Sequence, residues 1–185
     1  MADDAPPVPV LFTPRLRLCP LAVEHAAELH RAYGDATTMQ FWDAPQSHDL
    51  AETTRRIEQS IAVGATWHAC WVALSRPGSR FIGMVNYHAR QPWNRRLAVG
   101  WIVVPEAERR GYMREAMVAL IDHCFNALDT HRVEAEIEPA NARSVALAAH
   151  LGFRREGLLR DRLQVGGVPR SVEMWALLRP DRTTS

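Results

Sequence analysis

The chain has 185 residues, of which 47% are apolar and 23% charged, as in a globular protein of a single domain. A formal net charge of +1 provides no field that would favour nucleic acid or a membrane surface as a partner, and no apolar run approaches the roughly 20 residues of a transmembrane helix. Three scattered cysteines (Cys19, Cys70, Cys124) argue against a disulfide framework, and with an acidic, proline-rich start that is unlike a signal peptide they predict a cytoplasmic protein.

The first half of the chain predicts one strand, two helices and a hairpin. Arginines alternate with apolar residues in Thr13–Leu21, the period-2 pattern of a half-buried strand. Apolar residues at helical spacing predict a helix over Ala22–Tyr33 and a second one that begins after Ser47, its expected N-cap. Two strands, Trp67–Leu74 and Phe81–Tyr87, then follow around a Pro-Gly turn.

The second half alternates between the same two periodicities. The elements predicted there are, in order, a strand at Leu97–Val104, a helix at Gly111–Leu128, a strand at Arg132–Glu138, a helix at Asn141–His150, and two strands, Leu158–Val165 and Ser171–Leu178, around a Gly-Gly hairpin turn. Residues 1–10 and 181–185 are predicted to be flexible ends. The pattern as a whole predicts a mixed α/β domain over residues 11–180.

The start of the predicted long helix has the character of an anion site. A helix start presents unpaired backbone N–H groups and the positive end of the helix dipole, and a pyrophosphate is well suited to both. Gly111 permits close approach of the backbone, and Arg109, Arg110 and Arg114 add positive charge. Taken alone, the segment is equally compatible with a solvated helix start.

Several motifs occur in an order and spacing that is more specific than any one of them. They are Thr13-x-Arg15-Leu16-x-Leu18, Gly111-Tyr112 followed by Glu115-Ala116, Arg132-Val-Glu-Ala-Glu136, Asn141-x-x-Ser144 and Leu151-Gly152-Phe153. Over roughly residues 11 to 178 the chain resembles the GNAT superfamily of N-acetyltransferases, within it the branch of ribosomal-protein N-terminal acetyltransferases. The resemblance implies a GNAT domain over residues 11–180, with a mixed sheet of six to seven strands and four helices, splayed between strands 4 and 5.

The resemblance also implies acetyl-CoA as co-substrate, with its pantetheine arm inserted between the two separated strands. Backbone groups of Ile102, Val103 and Val104 would bind this arm, and the N–H of Val103 or Val104 would polarise the thioester carbonyl. Asn141 would hydrogen-bond CoA as well as cap its helix, and a plain N-cap is the alternative. The pyrophosphate would lie on the loop formed by Arg109, Arg110, Gly111, Tyr112, Met113 and Arg114.

Three positions depart from the family's pattern. Glu108 stands where Gln or Arg is usual and Met113 replaces a small residue, so a carboxylate and a bulky side chain are expected to weaken CoA binding. Ala148 stands where several members have a tyrosine that protonates the departing thiolate. Ser144, on the same side of the short helix as Asn141, is then the candidate general acid, with an ordinary first-turn serine as the alternative.

The candidate base lies on the strand before that helix. Glu134, Glu136 and Glu138 alternate and therefore share one side of the sheet, which is also typical of a solvated surface. Glu136 matches the family position of a catalytic glutamate. Trp42 and Trp93 lie in loops that this fold would place near the acceptor, where they contact either the substrate or only the loop.

Three functions are compatible with these residues. The first is acetylation of a peptide or protein α-amine, favoured because an α-amine is easier to deprotonate than a lysine. The second is acetylation of a small-molecule amine such as a polyamine, an aminoglycoside-like compound or an amino acid, and the third is acyl-CoA binding without catalysis. The eight histidines show no metal spacing, so no metal is expected, and monomer and homodimer are both compatible with the sequence.

Overall fold

Alternating apolar positions build one continuous sheet in the computed structural model, which describes residues 7–182. Its strands are β1 (Leu11–Phe12), β2 (Leu16–Pro20), β3 (Ala69–Ser75), β4 (Phe81–Gln91), β5 (Arg96–Val103), β6 (Arg132–Ile137), β7 (Arg154–Val165) and β8 (Val168–Leu178). The α-helices are α1 (Ala26–Tyr33), α2 (Ala36–Met39), α3 (Leu50–Ala62), α4 (Tyr112–Asn126) and α5 (Ala142–His150). The strand order is β1-β2-β3-β4-β5-β6-β8-β7, with β5 and β6 parallel and the other neighbours antiparallel.

The predicted mixed α/β fold is confirmed, with one strand and one helix more among residues 7–182 than the sequence pattern predicted. The additional strand β1 has two residues and α2 has four, so both are too short to show a period. The predicted N-cap Ser47 is wrong. Asp49 caps α3, because its carboxylate accepts a hydrogen bond of 2.7 Å from the Glu52 N–H, whereas Ser47 is buried and its N–H donates to the Tyr33 carbonyl.

The helices cover the two faces of the sheet. On one face the Tyr33 hydroxyl of α1 donates to the sulfur of Met84, 3.4 Å away, and α3 packs against α1. On the other face the His123 ring of α4 meets the edge of Trp71 at 5.6 Å between centroids, and Trp71 lies opposite Val85. Because Met84 and Val85 are neighbours in β4, they point to opposite faces, so α1 and α4 lie on opposite sides of the sheet.

The strands β5 and β6 separate part-way along their length. They are paired only at Arg96 with Arg132, Leu97 with Val133 and Ala98 with Glu134. Beyond Ala98, β5 continues to Val103 without a partner on this side. The predicted splay between the fourth and fifth predicted strands is therefore confirmed. It leaves backbone donors and acceptors of β5 unpaired in the middle of the sheet.

The ends of the described chain are more ordered than the sequence analysis predicted. The carbonyl of Pro9 accepts a hydrogen bond of 2.7 Å from the indole N–H of Trp71, which fixes the chain before β1. Asp181 pairs with Arg154, and Arg182 with a carboxylate of α4. The remaining residues predicted as flexible ends, 1–6 and 183–185, lie outside the described residues. No helix in the described range combines the length and apolar character of a membrane span.

Candidate active site

The loop before α4 has the backbone geometry of an anion site. Arg109 and Gly111 have positive φ angles of 58° and 74°, and no side chain caps the helix. The first hydrogen bond at this helix end runs from the Glu115 N–H to the Gly111 carbonyl, at 3.1 Å. The N–H groups of residues 112–114 therefore have no acceptor inside the helix and point out of its positive end.

The side chains of this loop divide between solvent and core. Arg109, Arg110 and Arg114 are exposed, and within residues 7–182 none of the three guanidinium groups forms an ion pair. Met113 is 7% exposed and packs in the core, so only its N–H faces the helix end. The expectation that Met113 narrows the groove is therefore wrong, because the side chain points away from it.

The carboxylate of Glu108 is turned towards α5. It accepts a hydrogen bond from the guanidinium group of Arg143, in the first turn of that helix. The pairing offsets the negative charge that was expected to repel a pyrophosphate. It also ties the loop before α4 to the helix on the far side of the splay.

A second contact fixes the same loop to the start of β2. The Glu115 carboxylate accepts hydrogen bonds from the Thr13 hydroxyl at 2.5 Å, the Arg15 N–H at 2.8 Å and the Arg15 Nε at 2.6 Å. Arg15 also donates to the Arg110 carbonyl at 2.9 Å and stacks over the Tyr112 ring. These contacts hold the loop before α4 against the chain that leads into β2.

The Glu115 contact predicts a pH dependence of stability. Burial raises the pKa of Glu115, but the hydrogen bonds from Thr13 and Arg15 outweigh it and hold the pKa below the usual 4.5. A carboxyl group whose pKa is lowered by folding stabilises the protein above its unfolded pKa and loses this contribution as the pH falls through the folded value. We expect Glu115→Gln to cost about 1–2 kcal/mol at pH 7 and to flatten the fall in melting temperature below pH 4.5.

The measurement is a series of thermal melts from pH 7 to pH 3. Glu58→Gln on the exposed side of α3 is the matched control and should melt like the wild type throughout. Parallel pH dependences of the wild type and Glu115→Gln would contradict this assignment.

A cavity of about 760 Å³ crosses the sheet where β5 and β6 separate. On the α1 face its wall includes His88 and Glu136. On the other face Trp101 lies opposite Val85, and its indole N–H donates to the Ser144 hydroxyl of α5 at 3.2 Å. Ser144 also lines the cavity, so a ligand entering from the α5 side can meet one entering from the α1 side.

The backbone of β5 alternates between β4 and the gap. The Val104 N–H donates to the Ile82 carbonyl at 3.1 Å and so faces β4. Because successive residues of a strand direct their polar groups to opposite sides, Ile102 also faces β4, whereas Val103 and Trp101 face the gap. The N–H groups of Ile102 and Val104 are therefore directed towards β4, whereas that of Val103 faces the gap and can polarise a carbonyl; the contacts of all three residues with CoA stay predictions. The backbone N–H of Trp101, which faces the gap as that of Val103 does, was not predicted.

The start of α5 combines a capped backbone with a free hydroxyl proton. The Asn141 side-chain oxygen accepts from the Ser144 N–H at 3.2 Å, so the N-cap interpretation of Asn141 is confirmed. The Ser144 oxygen accepts from Trp101 and keeps its own O–H available as a donor. Ala148 is fully buried, so a core methyl group occupies the place of the family's tyrosine.

Two of the three alternating carboxylates lie in β6 and the third, Glu138, directly follows it; they lie on one side, as predicted, but they are not a solvated surface. Glu134, Glu136 and Glu138 all line the cavity. Each has an arginine partner: Arg96 and Arg132 for Glu134, Arg162 at 2.9 Å for Glu136, and Arg170 at 2.9 Å for Glu138. Glu136 is thus an ion-paired group at the gap, and its role as a base stays a prediction.

The two loop tryptophans have different positions. Trp42 lines the cavity and packs on the core, and its contact with the acceptor stays a prediction. Trp93 is 71% exposed, and its ring packs edge-on against Trp67 at 6.0 Å between centroids. It lies outside the cavity wall, because the turn Pro92–Asn94 carries it past the end of β4 and β5. Trp93 does not line this cavity, and its contact with the acceptor stays a prediction.

Sequence analysis missed a group of cavity residues that come from α3, from the chain just before β3, and from the strands β3 and β4. The His68 Nε2 lies 2.7 Å from the Ser60 hydroxyl and 3.1 Å from the Cys70 sulfur. Burial raises the pKa of the Cys70 thiol to about 12 and lowers the pKa of His68 to about 4, so the pair is neutral rather than a thiolate and an imidazolium. A neutral thiol is a poor nucleophile, so this state argues against a covalent acetyl-cysteine route through Cys70. Asn86 and His88, on the same wall, complete the group.

Comparison with known proteins agrees with this geometry. A model of the acetyltransferase (GNAT) domain matches residues 15–154. The uncharacterized N-acetyltransferase YoaA of Bacillus subtilis is 25% identical over 93% of this chain and 98% of its own length. The [ribosomal protein uS5]-alanine N-acetyltransferase of Escherichia coli is 35% identical over 46% of this chain and 44% of its own length.

Among solved structures, spermidine N-acetyltransferase from Vibrio cholerae, in complex with CoA and spermine, shares the fold. Its TM-score is 0.80 at 20% identity, over 91% of this chain and 98% of that one. The family assignment is supported by the domain match over most of the sequence, and the separated strands and the uncapped start of α4 agree with it. The chain belongs to the GNAT family of N-acetyltransferases, which use acetyl-CoA as the acetyl donor.

Proposed function

We propose that this enzyme transfers the acetyl group of acetyl-CoA to the N-terminal α-amine of a peptide or protein, by direct attack in a ternary complex. The observation that carries the proposal is the cavity that crosses the sheet at the splay. The two substrates can enter from opposite faces and meet in the gap, so no covalent enzyme intermediate is needed. An acetyl-CoA-dependent reaction also fits the cytoplasmic location expected from the sequence.

Bound in the gap, acetyl-CoA would supply an activated acetyl thioester. The loop of Arg109, Arg110, Gly111 and Arg114 would hold its pyrophosphate, and Val103 would donate its N–H to the acetyl carbonyl oxygen. These assignments fit the free N–H groups at the start of α4 and the unpaired backbone of β5.

On the acceptor side, Glu136 would attract and orient the incoming ammonium group. The ion pair with Arg162 lowers the desolvation cost of the Glu136 carboxylate at the gap. Part of the carboxylate still faces the cavity. On the α5 side, the Ser144 hydroxyl would give its proton to the CoA thiolate as the C–S bond breaks.

The size of the cavity also suits a small-molecule amine, the second candidate. The relatives include both kinds of enzyme by name: one acts on an alanine of a ribosomal protein, and the other on spermidine. The α-amine is preferred because the cavity offers ion-paired carboxylates rather than several unpaired ones, as a polyamine would require.

The decisive experiment measures CoA release with acetyl-CoA and a panel of amines. The panel contains a hexapeptide with a free N-terminal alanine, the same peptide N-terminally acetylated and carrying one lysine, and spermidine. Fastest turnover of the free peptide supports the proposal, and fastest turnover of spermidine supports the second candidate. Binding of acetyl-CoA without turnover of any amine would identify a silent acyl-CoA-binding domain.

The CoA loop can be tested without an acceptor. Acetyl-CoA should raise the melting temperature, since a ligand that binds only the folded protein stabilises it by mass action. Arg110→Glu places a negative charge beside the free N–H groups of α4 and should remove most of this shift. Arg160→Glu, on the exposed edge strand β7, is the matched charge-reversal control and should keep it. A full shift in Arg110→Glu would place the pyrophosphate elsewhere.

A further inference from the structure

The cavity wall on β4 carries a histidine that neither the sequence pattern nor the proposed mechanism has used. His88 lies opposite Ala98 of β5, and Ala98 lies opposite Glu134 of β6. These three residues form the last row of the sheet before β5 and β6 separate. The imidazole therefore stands beside the opening of the gap, on the α1 face from which the acceptor would enter.

The orientation of this ring is set by its neighbour Asn86. The Nδ1 of His88 lies 3.1 Å from the Asn86 side-chain oxygen, and Asn86 is 6% exposed. An amide oxygen only accepts hydrogen bonds, so this contact requires the proton of a neutral imidazole to be on Nδ1. The other nitrogen, Nε2, then carries a lone pair and is a proton acceptor.

Gly100 provides the space for this pair. It lies opposite Asn86 on β5, and a Cβ at that position would be 3.0 Å from the Asn86 oxygen. A side chain there would push against the amide that holds the histidine. The absence of a side chain at this point of β5 thus preserves both the width of the gap and the Asn86–His88 contact.

The surroundings keep His88 neutral near pH 7. Burial lowers its pKa below the usual 6.5, and the negative charges of Asp43 and Glu136 oppose this effect only in part. His68 is also neutral, because burial and the nearby His88 both lower its pKa. The other charged and titratable groups that line this cavity are Tyr33, Asp43, Arg56, His68, Cys70, Arg96, Glu134, Glu136, Glu138 and Arg162.

We propose that His88 is the general base of the reaction: its Nε2 accepts the proton of the acceptor ammonium, while Asn86 fixes the tautomer. This inference rests on the proposed function, and it transfers the role of base from Glu136 to His88. Glu136 is held by three contacts to Arg162, between 2.9 and 3.3 Å, whereas Nε2 has no hydrogen-bond partner within residues 7–182.

The proton balance closes without a further reactant. The ammonium gives one proton to Nε2 of His88, directly or through one water, and becomes a neutral amine. The amine nitrogen then bonds to the acetyl carbon, and the C–S bond breaks. Ser144 protonates the thiolate and recovers a proton from the acylated nitrogen, and His88 releases its proton to solvent. The products are an amide, CoA thiol and one proton.

The test is the pH dependence of kcat with the free N-terminal alanine hexapeptide and saturating acetyl-CoA. The wild type should lose activity below pH 6.5 as His88 becomes protonated. His88→Gln should lower kcat by about 10²-fold or more and remove this acidic limb. Asn86→Asp should move the limb to higher pH, because a carboxylate beside Nδ1 favours the imidazolium.

Two variants serve as controls. His68→Gln removes the other histidine that lines the cavity and should keep the acidic limb, since the His68 Nε2 is engaged by Ser60 and Cys70. Glu136→Gln should raise KM for the peptide and also keep the limb. Loss of the limb in Glu136→Gln together with its retention in His88→Gln would overturn the proposal and return the role of base to Glu136.

A second readout does not depend on turnover. In NMR spectra of the free enzyme, the imidazole signal that disappears in His88→Gln should titrate below pH 6.5 in the wild type and at higher pH in Asn86→Asp. An unchanged titration in Asn86→Asp would refute the role of Asn86. Turnover with an unaltered limb in His88→Gln would refute only this inference, whereas no turnover with any amine would refute the proposed function as well.

Discussion

Replacing Ser144 by alanine is expected to lower kcat by about 10²–10⁴-fold, the usual cost of losing a general acid. The family's tyrosine is absent, and Ala148 in its place is buried. The Ser144 hydroxyl lines the cavity, and its oxygen already accepts the Trp101 indole proton, so its own proton points to another acceptor. A thiolate leaving from the gap is the acceptor that the reaction provides.

Steady-state kinetics with the alanine hexapeptide measure this effect, and Ser144→Cys is the variant that restores a proton donor. The N-cap is not disturbed by either change, because Asn141 bonds to the backbone N–H of residue 144 and not to its side chain. Turnover of Ser144→Ala within threefold of the wild type would show that solvent protonates the thiolate. A KM for acetyl-CoA that stays constant while kcat falls would locate the defect in the chemical step.

The sequence was sufficient for the fold because each major element has its own period. The apolar run of β5, the helix spacing of α4 and the alternation in β6 are local signals, and the resemblance supplied their arrangement. The general preference of serine for the N-cap favours Ser47 in the sequence, yet Asp49 satisfies the same requirement two residues later. Propensity alone does not decide between two acceptable caps.

The site was less predictable because its residues meet only through strand pairing. Asn86 and His88 carry no motif, and they become a functional pair because β4 pairs with β5 beside the splay. The direction of the Val104 N–H, towards β4 and away from the gap, follows from its hydrogen bond to the Ile82 carbonyl. No spacing in the sequence encodes that hydrogen bond. The one available signal was the pattern of polar residues at alternate positions in an otherwise apolar strand β4.

Peptides with a free N-terminus are expected to be acetylated about 10²-fold faster at pH 7 than blocked peptides with a free lysine. An α-amine has a pKa of about 7.7–8.0 and a lysine about 10.4, so removal of the proton at pH 7 costs roughly 1 and 4–5 kcal/mol, respectively. Burial lowers the pKa of His88 below 6.5, and this pKa is closer to that of an α-amine than to that of a lysine. His88 therefore cannot compensate for the higher cost of deprotonating the lysine.

The comparison uses two peptides of identical composition, one blocked at the N-terminus and one with its lysine acetylated, and kcat/KM is measured from pH 6 to pH 9. If deprotonation sets the preference, the kcat/KM of the lysine peptide should rise relative to that of the other peptide above pH 8. The α-amine is then already neutral, whereas the lysine is not. A faster lysine peptide at pH 7 would instead require a base far stronger than a buried histidine.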